Sequence, residues 1–188
     1  MPASGIRGTH DIPLGSHLCL FYRRPTEFIQ VTASFLKAGL AGHEFCVWIV
    51  PPPLTIPVAL GELSYHGLNG PALQATKQLH ISSAEDWYCD GGFNLEDSLD
   101  RLATLPNMAR QLGYTTVRAV GGPGPFTSQE TRQAFMLYER HATALIATYP
   151  LIALCCYASI QGIATDMFDI IRAHPQALIR THLGWAGI

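Results

Sequence analysis

Residues Gly15–Val50, GSHLCLFYRRPTEFIQVTASFLKAGLAGHEFCVWIV, constrain the fold more than any other stretch of the chain. The apolar run Leu18–Tyr22 leads through a turn into a helical pattern that closes at Gly42, and Phe45–Val50 is a second apolar run. Pro25 falls near the first helical turn, where its missing N–H costs nothing. Phe28, Val31, Phe35 and Ala38, with Ile29, Ala33, Leu36 and Leu40, recur at helical spacing and make one broad apolar face. Strand, crossover helix and strand is a βαβ unit. Both runs are apolar on each side, as central strands of a doubly covered parallel sheet must be. The prediction is an α/β fold: three layers, with a mostly parallel central sheet flanked by helices.

At 188 residues the chain is expected to form an N-terminal arm, 1–14, and a single domain, 15–188. Charged residues are only 14% and the formal net charge is −2, which argues against direct nucleic-acid binding or an anionic membrane surface. No apolar run approaches the roughly 20 residues of a membrane helix, and MPASGIRGTHDIP lacks the apolar core of a signal peptide. The five cysteines sit mostly in apolar strands, where a reduced thiol behaves as a small hydrophobe. A cytoplasmic protein is expected.

Further along, Pro51-Pro52-Pro53 stops the second strand, and Ile56–Tyr65 reads as a short helix. Leu79–Ser82 reads as a strand, and Trp87–Phe93 as an aromatic loop. Asn94 caps a helix with Leu95, Leu99, Leu102 and Leu105 on its buried stripe. Thr115–Val120 is the next strand, ending in the loop Gly121–Pro125. Thr127 with Glu130 forms a capping box for a long helix. Leu151–Tyr157 is the most apolar strand, Thr165 caps a final helix, and Ala177–Arg180 is expected at the sheet edge. Ligands of parallel sheets bind beyond the carboxyl ends of the strands. Those ends supply Phe21, Tyr22, Trp48, Gly121, Gly122, Cys156 and Tyr157, with Trp87 and Tyr88 on a neighbouring loop. Such an aromatic, thiol-bearing, nearly uncharged lining suits a small, mostly apolar molecule.

The segments Gly15–Tyr22, Phe35–Leu40 and Phe45–Trp48 resemble the opening of the MEDS domain, the methanogen/methylotroph sensory domain. Glu85–Tyr88 with Phe93, Tyr138-Glu139, Ala153–Tyr157 and His174-Pro175 before Ala177–Ile179 follow in matching order, from about residue 10 to the end. The resemblance implies a ligand-binding sensory domain responding to small hydrocarbon derivatives; separately, no enzymatic activity is expected. Relatives join it to a DNA-binding helix-turn-helix or a histidine kinase. Neither is present in this sequence, so signalling is expected to pass through a partner protein, such as a kinase or transcription regulator, or through a homo-oligomer. The chain departs from the family in its Gly/Pro-rich Gly121–Pro125 and Phe126, which reshapes the pocket there.

A more distant likeness is to RecA-like ATPases of the circadian-clock type. Their phosphate loop would fall on Leu20–Glu27, LFYRRPTE, which has no glycine and no Lys-Ser/Thr pair. The strand TTVRAV also ends without an acidic residue to hold magnesium. The expectation is a RecA-like fold without a phosphate-binding loop, taking no ATP and no other predicted cofactor.

The candidate ligand-binding residues are therefore His17, Cys19, Phe21, Tyr22, Trp48, Trp87, Tyr88, Arg118, Glu139, Cys156 and Tyr157. His17 and Cys19 share one strand face, and would be the ligands if a metal or haem were held. Cys155 and Cys156 point to opposite faces: Cys156 with Leu154, Cys155 with Tyr157. Arg118, a cation in an apolar strand, needs an acidic partner or a ligand carboxylate, and Glu139 is the expected structural partner. Trp87 and Tyr88 with Gly91-Gly92 suggest a lid, with a loop folded down as a plug as the rival. A second reading is a metal, haem or redox sensor, or a small cysteine-dependent enzyme, using Cys19, Cys155 or Cys156 with His17. No paired carboxylates at a spacing useful for catalysis, and no G-x-S-x-G, H-x-x-x-H or C-x-x-C, occur to strengthen an enzyme assignment.

Overall fold

The computed structural model describes residues 1–88, 92–124, 128–159, 164–182 and 184–187. Its strands are β1 (His17–Tyr22), β2 (Phe45–Val50), β3 (Leu79–Ser83), β4 (Val117–Gly121), β5 (Leu151–Ala158), β6 (Gln176–Thr181) and β7 (Gly184–Gly187). The helices are α1 (Pro25–Ala41), α2 (Ile56–Tyr65), α3 (Gly70–Ala75), α4 (Ala84–Tyr88), α5 (Leu95–Gln111), α6 (Gln129–Ile146) and α7 (Ala164–Ala173). The strands form one sheet in the order β3-β2-β4-β5-β1-β6-β7, parallel throughout except for β7. The α/β, mostly parallel, three-layer prediction describes this sheet. No helix among the described residues is long and apolar enough to cross a membrane.

Two placements differ from expectation. The Ala177–Arg180 strand is internal, because β6 pairs with β1 on one side and with antiparallel β7 on the other. The opening βαβ unit is a long crossover: β1 pairs with β5 and β6, and β2 with β3 and β4. Helix boundaries also shift. Ser128 is the N-cap of α6, accepting from the Thr131 amide, while Thr127 lies outside the described residues. Helix α7 begins at Ala164, so Thr165 is within it rather than capping it.

Alternation along the strands divides the core in two. One face carries Leu18, Leu20, Cys46, Trp48, Val120, Leu154 and Cys156 against Phe28, Phe35 and Leu36 of α1 and Leu63 of α2. The other carries Cys19, Phe21, Val47, Ile49, Ala153 and Tyr157 against Trp87 and Tyr88 of α4, Leu102 of α5 and Phe135 and Tyr138 of α6. Residues 1–14 pack on the first face, where Ile6 and Ile12 are buried.

Arg118 is fully buried on that first face and pairs with Glu44, a correction to the expected Glu139. Glu139 rides on α6, across the sheet. Arg118 Nη2 donates to Glu44 Oε1 at 3.1 Å and to Ala3 O at 3.0 Å, and Nη1 donates to Phe35 O at 3.3 Å. Its guanidinium carbon also lies 4.5 Å from the centre of the Phe35 ring. Gly39 of α1 makes the room: a Cβ there would come within 2.6 Å of Arg118 Nε. The cation thus ties strand, helix and arm together.

At the β1–α1 turn, Glu27 turns back on its own helix start. Its Oε2 accepts from the amides of Arg23 at 2.9 Å and Arg24 at 3.3 Å, and Oε1 from the Arg24 guanidinium at 3.1 Å. In a phosphate-binding fold such amides point at the anion; here a carboxylate of the chain occupies them. The Arg23 amide foremost, and then the Arg24 side chain and amide, hold the Glu27 carboxyl below its ordinary value of about 4.5, against a smaller upward push from burial. The folded state favours the ionised form, so this stabilisation is complete above the ordinary value and is lost as pH falls through the lowered one. Glu27→Gln is expected to cost about 1 kcal/mol near neutrality, by analogy with loss of a helix cap. The difference between the two proteins should shrink in acid, as read by urea midpoints from pH 7 to pH 3; an unchanged difference would refute the assignment.

Candidate functional site

Helix α6 buries Phe135, Tyr138, Glu139, Ala142 and Ile146, an apolar stripe in which one position is a carboxylate. That spacing aims Glu139 at the sheet, where it meets Tyr157 and Cys155 of β5 and His17 of β1. The Tyr157 hydroxyl donates to Glu139 Oε1 at 2.6 Å. On the other oxygen, Oε2 lies 3.3 Å from His17 Nε2, 3.5 Å from His174 Nε2 and 3.8 Å from Cys155 Sγ. His17 Nε2 is also 3.2 Å from Cys155 Sγ. His174, at the end of α7, sits against His17 with ring centroids 4.2 Å apart. All of this lies within a few per cent of full burial, except for the half-buried Cys155.

The hydrogen bonds fix which ring nitrogens carry protons. Thr143 gives its hydroxyl proton to Ala173 O at 2.6 Å, so the 2.7 Å contact between His17 Nδ1 and Thr143 Oγ1 requires the N–H to be on His17. His174 Nδ1 lies 2.7 Å from Ile170 O, a carbonyl that can only accept. Both Nδ1 atoms are therefore donors, and both Nε2 atoms face the carboxylate. Burial pushes His17 down to about 4, outweighing the neighbouring Glu139 that raises it, with His174 adding a further downward push. The ring is neutral at pH 7 and presents a lone pair at Nε2. Burial alone would push the Glu139 carboxyl up; His174 and His17 hold it below its ordinary value to the extent that their rings carry a proton, and the Tyr157 hydroxyl adds to this.

A cavity of about 40 Å³ adjoins this cluster, between the second sheet face and α4, α5 and α6. His17, Glu139 and Cys155 form its polar end, and Trp87, Tyr88, Leu102, Tyr138, Ala142 and Ala153 are among its apolar lining. Trp87 and Tyr88 reach it from the short helix α4, where both are largely buried. They form part of the cavity wall; of the two glycines of the expected lid loop, Gly91 lies outside the described residues. Arg101 of α5 holds the end of α4 by donating to Trp87 O at 2.6 Å.

Of the expected residues, the structure brings together His17, Glu139 and Tyr157, with Trp87 and Tyr88 on the same cavity wall. Cys19 and Phe21 share the face but are not among the cavity-lining residues, and Cys19 is not part of the His/Glu/Cys cluster. Tyr22, Trp48, Arg118 and Cys156 belong to the opposite face, because strand alternation turns them toward α1. Two members of the cluster lie outside the candidate ligand-binding set: Cys155, expected beside His17 only in the metal, redox or cysteine-enzyme reading, and His174. Alternation already places Cys155 with Tyr157, but the alignment of β1 and β5 that sets it beside His17 is tertiary. His174 reads in sequence as a helix terminator within the His174-Pro175 family segment, and nothing local sets it beside His17. Burial raises all four described thiols, Cys19 and Cys46 to about 12 and Cys155 and Cys156 well above the ordinary thiol value.

The sheet order and the helices on both faces describe a RecA-like fold, in which the amides of the β1–α1 turn are bonded by the chain's own Glu27 carboxylate. The crystal structure of a KaiC-like protein from the hyperthermophilic archaeon Pyrococcus horikoshii OT3 has the same fold, with a TM-score of 0.66 over 94% of this chain and 78% of that one, at 12% identity. Residues 16–175 match the family described as the MEthanogen/methylotroph, DcmR Sensory domain, and the chain belongs to this MEDS family. Its role is accordingly sensory. No curated protein matches the sequence.

Proposed function

We propose that this sensory domain binds a compact organic molecule in the cavity beneath α6 and passes the event to a signalling partner. The partner would be a kinase, a transcription regulator or a second copy of the chain. The observation that carries the reading is the cavity itself, apolar along most of its wall and polar at one end. A space of about 40 Å³ has room for only a few non-hydrogen atoms. That size favours one- and two-carbon compounds, in keeping with the hydrocarbon derivatives that the family resemblance implies. Binding would act on signalling by favouring one arrangement of α4 and α6 over another.

The test is titration of the purified protein with a panel of one- and two-carbon halides and alcohols, following Trp87 fluorescence and ligand-observed NMR. Saturable binding to the wild type is expected. Ala142→Leu, which fills the cavity, should weaken binding at least tenfold while costing about 1–3 kcal/mol of stability. No saturable binding anywhere in the panel would end this reading. Equal binding by a folded Ala142→Leu protein would move the site elsewhere.

A further inference from the structure

We infer that His17, Glu139, Cys155 and His174 form a buried binding site for a single divalent transition-metal ion, of which Zn²⁺ is the best match. The inference stands whether or not the neighbouring cavity takes an organic ligand.

The first support is geometric. Each of the four residues offers one donor atom, and these atoms all lie within 4.8 Å of one another. Tetrahedral zinc with ordinary bond lengths separates neighbouring donor atoms by about 3.3–3.5 Å. The corresponding distances here are 3.2 Å for His17 Nε2 to Cys155 Sγ, and 3.3 and 3.5 Å from Glu139 Oε2 to the two Nε2 atoms. Glu139 Oε2 to Cys155 Sγ is 3.8 Å. Four edges of the tetrahedron are thus already near their final lengths.

The second support is the proton inventory. Thr143 and the Ile170 carbonyl hold both histidines in the tautomer that presents Nε2 to the centre. Metal-bound histidines are characteristically oriented in this way, by a hydrogen bond from the other ring nitrogen. His174 Nε2 is buried and makes no hydrogen bond, since its approach to Glu139 at 3.5 Å is outside hydrogen-bond alignment. Buried polar atoms seldom go without a partner. Here an orphan nitrogen, a second lone pair and a carboxylate oxygen all point at one place. A cation there satisfies all three.

The charge also balances. A divalent ion bound by two neutral imidazoles, one carboxylate and one thiolate makes a neutral centre, which suits a site this deep. Binding transforms Cys155 S–H plus M²⁺ into an S–M bond and one proton, which leaves to solvent. Tyr157 donates to the carboxylate oxygen facing away and keeps Oε2 free for the ion. The cavity reaches His17, Glu139 and Cys155, and so offers a route for the ion or an exogenous ligand.

The test begins with chelator-stripped protein titrated with Zn²⁺ and, as an optical probe, Co²⁺. One ion per chain is expected, and zinc at a hundred times its dissociation constant should raise the melting temperature by about 5–10 °C. Cobalt should give an intense sulfur-to-metal absorption band. Cys155→Ser should abolish that band, and Cys156→Ser, on the opposite sheet face, should retain it. Thr143→Val, which removes the acceptor for His17 Nδ1 and the donor to Ala173 O beside His174 but no metal ligand, should weaken the metal about 10–100-fold. X-ray absorption of the zinc-loaded wild type needs no variant to fold: it should show one sulfur at about 2.3 Å and three nitrogen or oxygen atoms at about 2.0–2.1 Å. Substoichiometric uptake, or a metal shell without sulfur, would overturn the assignment.

Discussion

Replacing Arg118 by Met is expected to destabilise the folded chain by about 3–5 kcal/mol, the usual cost of removing one member of a buried ion pair. The guanidinium is fully buried and bonded to Glu44 and to the carbonyls of Ala3, Ser4 and Phe35, so its loss takes a donor from a carboxylate and three carbonyls. Methionine fills part of the space but offers no donor. The effect should appear as a lowered urea midpoint with little change in slope. Adding Glu44→Gln should recover part of the loss, because the stranded charge is then gone. A single-variant cost below about 1 kcal/mol would mean that the pair does not hold arm, α1 and sheet together. The folded fraction of the variant should still bind cavity ligands, since Arg118 lies across the sheet from the cavity.

Trp48→Ala should cost a comparable amount, about 3–5 kcal/mol, by opening a large hole in the same layer. Trp48 is almost completely buried, with its ring 6.5 Å from that of Phe28. Trp48→Phe is the informative contrast. The indole N–H has no hydrogen-bond partner, so exchanging it for a smaller apolar ring forfeits packing but no hydrogen bond. Its cost should stay near or below about 1.5 kcal/mol. Calorimetric melting of the two variants measures the difference. Equal and large losses would mean that the indole nitrogen makes a contact not otherwise seen. Neither change should alter ligand or metal binding in proportion to folded protein, because the opposite face carries both sites.

These two expectations follow from which face a side chain takes, and that is where the sequence was most and least informative. Within a strand, alternation places His17 with Cys19, Cys46 with Trp48, and Cys155 with Tyr157. Each pairing is present in the structure. The same pattern cannot say which face of one strand is continuous with which face of the next. The strand-end aromatics therefore looked like one pocket lining, although Tyr22 and Trp48 face α1 while Trp87 and Tyr88 face α6. Arg118 was recognisable as a buried cation in need of an acid. Its partner followed from sheet order and the approach of α1 at Gly39, neither of which is written in local spacing.

By itself the sequence determined the alternating strands and helices, the mostly parallel sheet, the lack of a phosphate-binding loop and the family motifs. All of these depend on short-range periodicity, capping and glycine placement, which act within a few residues. Only the tertiary structure decided the strand order and the meeting of His17, Glu139, Cys155 and His174. Those four residues are spread over 158 positions of the chain (from 17 to 174), and come together because β1 lies between β5 and β6 while α6 and α7 pack on one face. Their convergence depends on long-range pairing and helix packing, whose geometry no local pattern encodes.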